Sequence, residues 1–180
     1  FLQLMHSGRI SHKKITGLDP ISASAVKPAG ELFTGSGMDP FETPKEMTLQ
    51  DIADTKEAFI TAAKNAIAAG FDGVELHAAN GYLLHQFIAP NSNVRTDEYG
   101  GSIENRCKFV IEVLKAVVEA IGAEKTAIRI SPNGTFNDVA ETEIEETYTY
   151  LINAINGLGL AFLHISNQFG FESILFARKL

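Results

Sequence analysis

The stretch AIAAGFDGVELHAANGY, residues 66–82, passes from the end of a helical pattern through a glycine into an apolar strand pattern that starts at Val74. The strand ends at His77, and Asn80 and Tyr82 follow it directly. A helix that gives way at once to such a strand is typical of repeated helix–strand units, which build parallel sheets. Side chains that donate hydrogen bonds are therefore expected together at one end of this strand.

The same alternation of patterns continues on both sides of this stretch. Short β-rich runs predict four strands, at residues 1–6, 74–77, 127–131 and 161–166. Amphipathic spacing predicts three long helices, at residues 48–70, 102–122 and 142–157, each ending near a glycine. Capping-box spacing predicts helix starts at Thr48, with Asp51, and at Thr142, with Glu145. We expect one domain, residues 1–180.

Residues 7–47 show no strong period and contain several glycines and prolines. This segment is too long for an ordinary connection between a strand and a helix. It is predicted to be a long functional loop or a lid within the domain.

Two parallel architectures fit the alternation, a doubly wound sheet and a (β/α)8 barrel. A doubly wound nucleotide fold is expected to carry a glycine-rich turn after a strand, but the nearest candidate, residues 35–37, follows none. Polar residues instead recur at the carboxyl ends of the predicted strands, namely His6, His77, Arg129 and His164. Barrel enzymes place their chemistry there. The prediction is an α/β fold of the (β/α)8 TIM-barrel family, present as a partial barrel of about four parallel strands.

The composition limits the classes of partner. The 22 acidic residues outnumber the 15 basic ones, which gives a net charge of −7, and the basic residues form no run. Neither nucleic acid nor a membrane surface is expected as a partner. Cys107 is the only cysteine, so a reducing, cytoplasmic location is predicted. The chain starts without methionine and is interpreted as an excerpt of a longer protein, while a homo-oligomer stays open.

Three side chains suggest a specific chemistry. His77 and Asn80 can donate hydrogen bonds to one substrate oxygen, and a phenol such as Tyr82 keeps its proton at neutral pH and can release it inside an apolar pocket. Such a site polarises a carbonyl or nitro group and protonates a neighbouring atom. Each residue also has a purely structural interpretation. In that interpretation His77 closes a strand, Asn80 forms a turn and Tyr82 is a packing residue.

Two further polar residues lie within apolar strand patterns. Arg129 stands between two isoleucines, where its charge requires an anionic or electron-rich partner, and Gln3 gives a weaker form of the same argument. The remaining histidines, His6, His12, His85 and His164, are interpreted as structural. A metal-dependent barrel hydrolase with His6, His77 and His164 as ligands stays open as a minor alternative, although no metal is predicted.

Three motifs carry a resemblance to a known family. They are HAANGYLLHQFIAPNSNVRTDEYGGSIENRCKF at residues 77–109, FLQLMHSGR at residues 1–9 and IRISP at residues 128–132. Together, in this order, they resemble the old yellow enzyme family of FMN-dependent ene-reductases. The resemblance implies a flavoprotein that uses non-covalent FMN, with NADH or NADPH as hydride donor, to reduce the activated C=C bond of α,β-unsaturated carbonyl or nitro compounds.

The resemblance also assigns roles to residues. His77 and Asn80 would hold the substrate oxygen, Tyr82 would protonate the α carbon, and Gln3 and Arg129 would contact the isoalloxazine ring of FMN. Met5 would line the substrate pocket with His77, Asn80 and Tyr82, at a position where many members have tryptophan.

The chain matches only about the middle half of a complete barrel. It lacks the region that binds the flavin phosphate in the family, so this segment alone is predicted to bind FMN poorly. The alternative to an enzyme segment is an inert half-barrel, or a scaffold that pairs with a second copy.

Overall fold

In the computed structural model, residues 1–166 are described. The first part contains strand β1 (Leu2–Leu4), the short helix α1 (Lys13–Thr16), and strands β2 (Ile21–Ser22), β3 (Glu31–Phe33), β4 (Met38–Pro40) and β5 (Lys45–Glu46). The second contains helix α2 (Leu49–Ala68), strand β6 (Val74–Ala78), and helices α3 (Leu83–Ile88) and α4 (Ile103–Ile121). Strand β7 (Thr126–Ile130), helix α5 (Ile144–Asn156) and strand β8 (Phe162–Ile165) follow.

The centre of the fold is a parallel sheet of four strands in the order β1-β6-β7-β8. These are the four predicted strands, with ends that differ by one or two residues. The long helices connect consecutive strands, which is the arrangement of successive β/α units.

One face of the sheet packs against the helices and forms the core. Leu76 and Ala78 of β6 and Ile128 and Ile130 of β7 are completely buried there. Side chains alternate across a strand, so the residues between them face the other way. The opposite face therefore carries the polar side chains of the strands, and the apolar core packs on the other side of the sheet.

The register of the sheet aligns those polar positions. Gln3 on β1 is opposite Glu75 on β6. His77, two residues further along β6, is opposite Arg129 on β7, which is opposite His164 on β8. Polar side chains from all four strands thus lie on one face, in two adjacent rows of the sheet.

The helix boundaries test the capping predictions. Helix α2 begins with the capping box between Thr48 and Asp51. The corresponding prediction for Thr142 and Glu145 is wrong, because α5 is preceded by Glu143 in a left-handed conformation without a side-chain cap. Glu143 instead places its carboxylate 3.4 Å from Nη2 of Arg106. Helix α3 is an additional element, and its residues are all buried.

Residues 7–47 contain more regular structure than a plain loop. They include α1, a parallel pair of β2 and β5, and a β3–β4 hairpin. Arg95 links this segment to the chain that follows α3: its Nη1 donates to the carbonyl oxygens of Ala23 at 2.8 Å and Met47 at 2.7 Å.

Cys107 lies at the start of α4 and is completely buried. Burial raises the pKa of its thiol to about 12. No helix within residues 1–166 is both long and apolar enough to cross a membrane.

Candidate active site

His77 is buried near the carboxyl end of β6 and has a defined tautomer. The Ala79 backbone N–H donates to its Nδ1 at 3.3 Å, so the ring proton lies on Nε2. Burial and the positive charge of Arg129 lower the pKa of His77 to about 4. The imidazole is therefore neutral at physiological pH and offers one N–H donor at Nε2.

Asn80 occupies a turn whose backbone is left-handed. Its φ is 55° and that of Gly81 is 73°. The Asn80 backbone N–H donates to Oγ of Ser131 at 2.8 Å, and its carbonyl accepts from Nδ2 of Asn137 at 2.8 Å. Its side-chain Oδ1 is buried without a hydrogen-bond partner among the described residues. The backbone of Asn80 is thus held at the site, while its side-chain oxygen stays unpaired among the described residues.

Tyr82 precedes helix α3 and lies beside His77. The two rings are 5.0 Å apart between centroids and meet edge to face at 76°. The Tyr82 backbone N–H donates to the Ala79 carbonyl at 3.2 Å, which closes the turn. The phenol of Tyr82 and the imidazole of His77 thus pack against each other.

Arg129 projects from the polar face of β7 with incomplete hydrogen bonding. Its Nε is buried without a partner among residues 1–166, and its Nη2 is 3.5 Å from Oγ of Ser166. A buried guanidinium N–H without a partner is costly unless an acceptor is bound. This donor is suited to an electron-rich ligand.

Gln3 and Glu75 form a contact that the sequence did not indicate. Nε2 of Gln3 donates to Oε1 of Glu75 at 2.6 Å, and Nδ1 of His164 is 2.8 Å from Oε2 of Glu75. Gln3 on edge strand β1 and Met5, directly after it, are exposed. A groove of about 340 Å³ adjoins them, lined also by Leu4, His6 and the α2 residues Thr55, Ala58, Phe59 and Ala62.

The structure thus places His77 against both Tyr82 and Arg129, with Asn80 in the adjoining turn. Gln3 lies on the outermost strand, two strands away from Arg129, and Met5 directly follows that strand. Sequence reasoning assigned no contact at the site to Glu75, Ser131 or Asn137, although Ser131 is the last residue of its predicted strand, because only the register and the loop packing bring these residues to the site.

The proposed histidine ligands do not form a metal centre. Within residues 1–166, no three His, Cys, Asp or Glu side chains are arranged to hold a metal ion. His164 pairs with Glu75, and His6 accepts the Gly8 backbone N–H on its Nδ1 at 3.0 Å. The hydrolase alternative therefore has no support from the geometry.

A family model for NADH:flavin oxidoreductase / NADH oxidase proteins matches residues 1–172. The chain belongs to this family. The family model and the old yellow enzyme relative described below confirm the resemblance predicted from the three sequence motifs.

Individual relatives agree with this assignment. The chain is 43% identical to a Leishmania infantum protein named "Probable flavin mononucleotide-dependent alkene reductase", over 92% of this chain and 47% of the relative. An old yellow enzyme homologue from Zymomonas mobilis is 37% identical, with a TM-score of 0.89 over 92% of this chain and 46% of that one. Morphinone reductase in complex with tetrahydroNAD is 38% identical, with a TM-score of 0.91 over 99% of this chain and 52% of that one.

The chain therefore spans about half the length of the family members it matches. Its four-stranded sheet is part of a (β/α)8 barrel, as the sequence predicted. Within residues 1–166, β1 and β8 are the two outer strands of this sheet.

Proposed function

We propose that the protein carrying this chain is an FMN-dependent oxidoreductase that reduces the activated C=C bond of α,β-unsaturated carbonyl or nitro compounds with NADH or NADPH. The observation that carries the proposal is the unit formed by His77, Asn80 and Tyr82 beside Arg129. A neutral N–H donor, a carboxamide and a phenol are held at the end of one strand, next to a cation.

The donors have a clear task in this reaction. A conjugated carbonyl accepts a hydride only as negative charge develops on its oxygen. The Nε2 proton of His77 and the amide of Asn80 are assigned to bind that oxygen. A single preorganised donor of this kind is typically worth ~10²- to 10³-fold in rate. His77 is neutral at physiological pH, so it acts on that oxygen as a hydrogen-bond donor and not as a cation.

Tyr82 is assigned to protonate the α carbon. Its ring is fixed against His77, so the phenol lies near the donor that binds the substrate oxygen. Positioned proton transfer typically contributes ~10²- to 10⁴-fold.

The residues present fit one side of a flavin ring. The unpaired Nε of Arg129 is a donor for the electron-rich end of isoalloxazine, and the Gln3 amide adds a polar group on the same face at the outer strand. When bound, reduced FMN supplies the hydride. Arg129 then stabilises negative charge on the ring, and Met5 forms part of the pocket wall.

Several finer parts of the proposal rest on the resemblance or the composition alone. These are the nitro substrates, the choice between NADH and NADPH, a homo-oligomer, the cytoplasmic location and a lid formed by residues 7–47. The self-pairing or inert half-barrel gains no support from the relatives, which are oxidoreductases by name.

The test replaces Tyr82 by Phe in the FMN-loaded protein and measures both half-reactions by stopped flow. We expect alkene reduction to slow by ~10²-fold or more, and flavin reduction by the nicotinamide to stay within about threefold. The matched control is Tyr150→Phe, which removes a phenol from α5, away from the site. Equal losses in the two half-reactions of Tyr82→Phe would contradict the assigned role.

A further inference from the structure

A buried polar cluster lies behind the turn that carries Asn80 and Tyr82. The Gly81 backbone N–H donates to Nδ1 of His85 at 3.0 Å. Nε2 of the same ring is 3.2 Å from Oε1 of Glu141. His85 is completely buried, and the Glu141 side chain is only 3% exposed.

These contacts define the tautomer of His85. Nδ1 accepts a backbone hydrogen bond, so it carries no proton, and the single ring proton must lie on Nε2. Nε2–H then donates to the Glu141 carboxylate. If the ring proton moved to Nδ1, two N–H groups would face each other at Gly81.

Glu141 is held in turn by two more donors. The Tyr148 hydroxyl donates to Oε1 at 2.7 Å, and the Asn133 backbone N–H donates to Oε2 at 2.8 Å. Burial and the carboxylate raise the pKa of Tyr148 well above its usual value, so the hydroxyl stays a donor. Glu141 is surrounded by donors and therefore acts only as an acceptor.

The cluster also holds the backbone of the turn. Asn80 and Gly81 are both left-handed, a conformation that Gly adopts freely and that Asn adopts more readily than most other residues with a side chain. Side chains bind the polar backbone groups on every side: Nε2 of Gln86 donates to the Gly81 carbonyl at 2.7 Å, in addition to the contact from His85. His85 of the buried cluster contacts the turn through the backbone amide of Gly81.

We propose that Glu141 and His85 are positioning residues: Glu141 fixes the tautomer of His85, and His85 thereby holds the Gly81 amide and orients Asn80 and Tyr82. Neither residue touches the substrate. Their catalytic consequence rests on the proposed function, whereas the tautomer and the turn geometry do not.

Two variants of His85 separate its contact with Gly81 from its contact with Glu141. In His85→Asn, Oδ1 takes the position of Nδ1 and still accepts from Gly81, but the contact with Glu141 is lost. In His85→Gln, the longer amide still reaches Glu141, but the acceptor beside Gly81 is lost. A third variant, Glu141→Gln, keeps the shape and puts an amide donor among the donors that surround Glu141.

The first readout is independent of catalysis. In the protein carrying this chain, ¹⁵N NMR of the His85 ring should show Nε2 protonated and Nδ1 unprotonated at neutral pH. In Glu141→Gln, we expect a mixture of tautomers and faster hydrogen exchange of the Gly81 amide. Gly81 exchange should rise in His85→Gln and stay close to wild type in His85→Asn.

The second readout is the half-reaction kinetics of the FMN-loaded protein. We expect His85→Gln to slow alkene reduction by ~10-fold or more, because Asn80, the donor, and Tyr82, the acid, lose their alignment with the substrate. His85→Asn should stay within about threefold of wild type, and nicotinamide oxidation should change little in either variant.

Specific outcomes overturn the proposal. A proton on Nδ1 in the wild-type protein would do so, as would equal effects of His85→Asn and His85→Gln on Gly81 exchange, which a merely structural role predicts. If the wild-type protein reduced no activated alkene, the proposed function would fail, while the NMR measurements would still decide the tautomer and the turn.

Discussion

His77 and Arg129 lie opposite each other on neighbouring parallel strands, and this pairing adds to the effect of burial in keeping the histidine neutral. Burial contributes most to the lowered pKa of His77, and the guanidinium adds to it. The same cation that suits an electron-rich ligand thus helps to keep the neighbouring imidazole neutral. In the proposed site, Arg129 supplies a positive charge for the flavin ring, and His77 supplies an uncharged N–H donor for the substrate oxygen.

This pairing predicts how stability depends on pH. His77 has a pKa of about 4 when folded and 6.5 as its ordinary value, so the unfolded chain binds more protons between these pH values. The stability that depends on a neutral His77 is complete above pH 6.5 and is lost as the pH falls toward 4. We expect His77→Gln to lose less unfolding free energy than wild type between pH 7 and pH 4.5, measured by urea unfolding.

Between pH 7 and pH 8.5 the two curves should run parallel, which is the internal control. His6, whose pKa burial also lowers, remains in both proteins and therefore does not contribute to the difference. Identical slopes below pH 6.5 would contradict the lowered pKa of His77.

A second prediction concerns the close contact at Gly81. A Cβ at this position would lie 2.4 Å from the Phe136 carbonyl oxygen, and φ is 73°. Gly81→Ala should therefore cost ~3 kcal/mol or more, from left-handed strain and from overpacking. The control is Gly17→Ala, with φ of 75° and no atom within 4 Å of the added Cβ, which should cost only ~1–2 kcal/mol. Thermal unfolding of both variants measures the difference in stability. Equal losses of stability would show that the loop at Phe136 moves to make room for the Cβ.

A third prediction tests the buried link at Arg95. Its guanidinium binds the carbonyls of Ala23 and Met47 and the carboxylate of Asp97, the last at 2.6 Å. Arg95→Lys keeps the charge but cannot span these acceptors, so we expect a loss of ~2–4 kcal/mol in unfolding free energy. The exposed pair of Lys108 with Glu98 gives the comparison, because Lys108→Gln should cost less than ~1 kcal/mol. A loss below 1 kcal/mol for Arg95→Lys would argue against the link.

A fourth prediction concerns the flavin. Arg129→Gln removes the cation and the unpaired Nε donor, so we expect FMN to bind ~10-fold or more weakly and the bound flavin to become harder to reduce. Lys125→Gln removes a positive charge just before β7, at the other end of the strand, and should leave both quantities unchanged. Fluorescence titration of FMN and a spectroelectrochemical potential are the measurements. Unchanged binding and potential in Arg129→Gln would remove Arg129 from the proposed site.

The fold class was predictable because local signals and the sheet agree. The strand pattern at residues 74–77 reappears as β6, and the spacing of Thr48 and Asp51 forms the expected capping box. Thr142 and Glu145 have the same spacing but form no cap, because Glu143 precedes α5 and approaches Arg106. The same short motif therefore gave one correct and one incorrect helix start.

Part of the candidate site could also be predicted, since His77, Asn80 and Tyr82 are close in sequence. The residues behind them could not. Glu141 reaches His85 only after β7 and its loop have folded against α3, and no local pattern marks that contact. Helix α3 gave no periodic signal, because it is buried on all sides.

The burial of Cys107 has a consequence for a protein that is proposed to reduce activated alkenes. Such compounds are electrophiles that add to thiolates, and a thiol with a pKa of about 12 stays protonated at neutral pH. It is also enclosed by the core. The only sulfhydryl of this chain is therefore protected from conjugate addition by the compounds that the site is proposed to reduce, so alkylation by them is not expected to inactivate it at this residue.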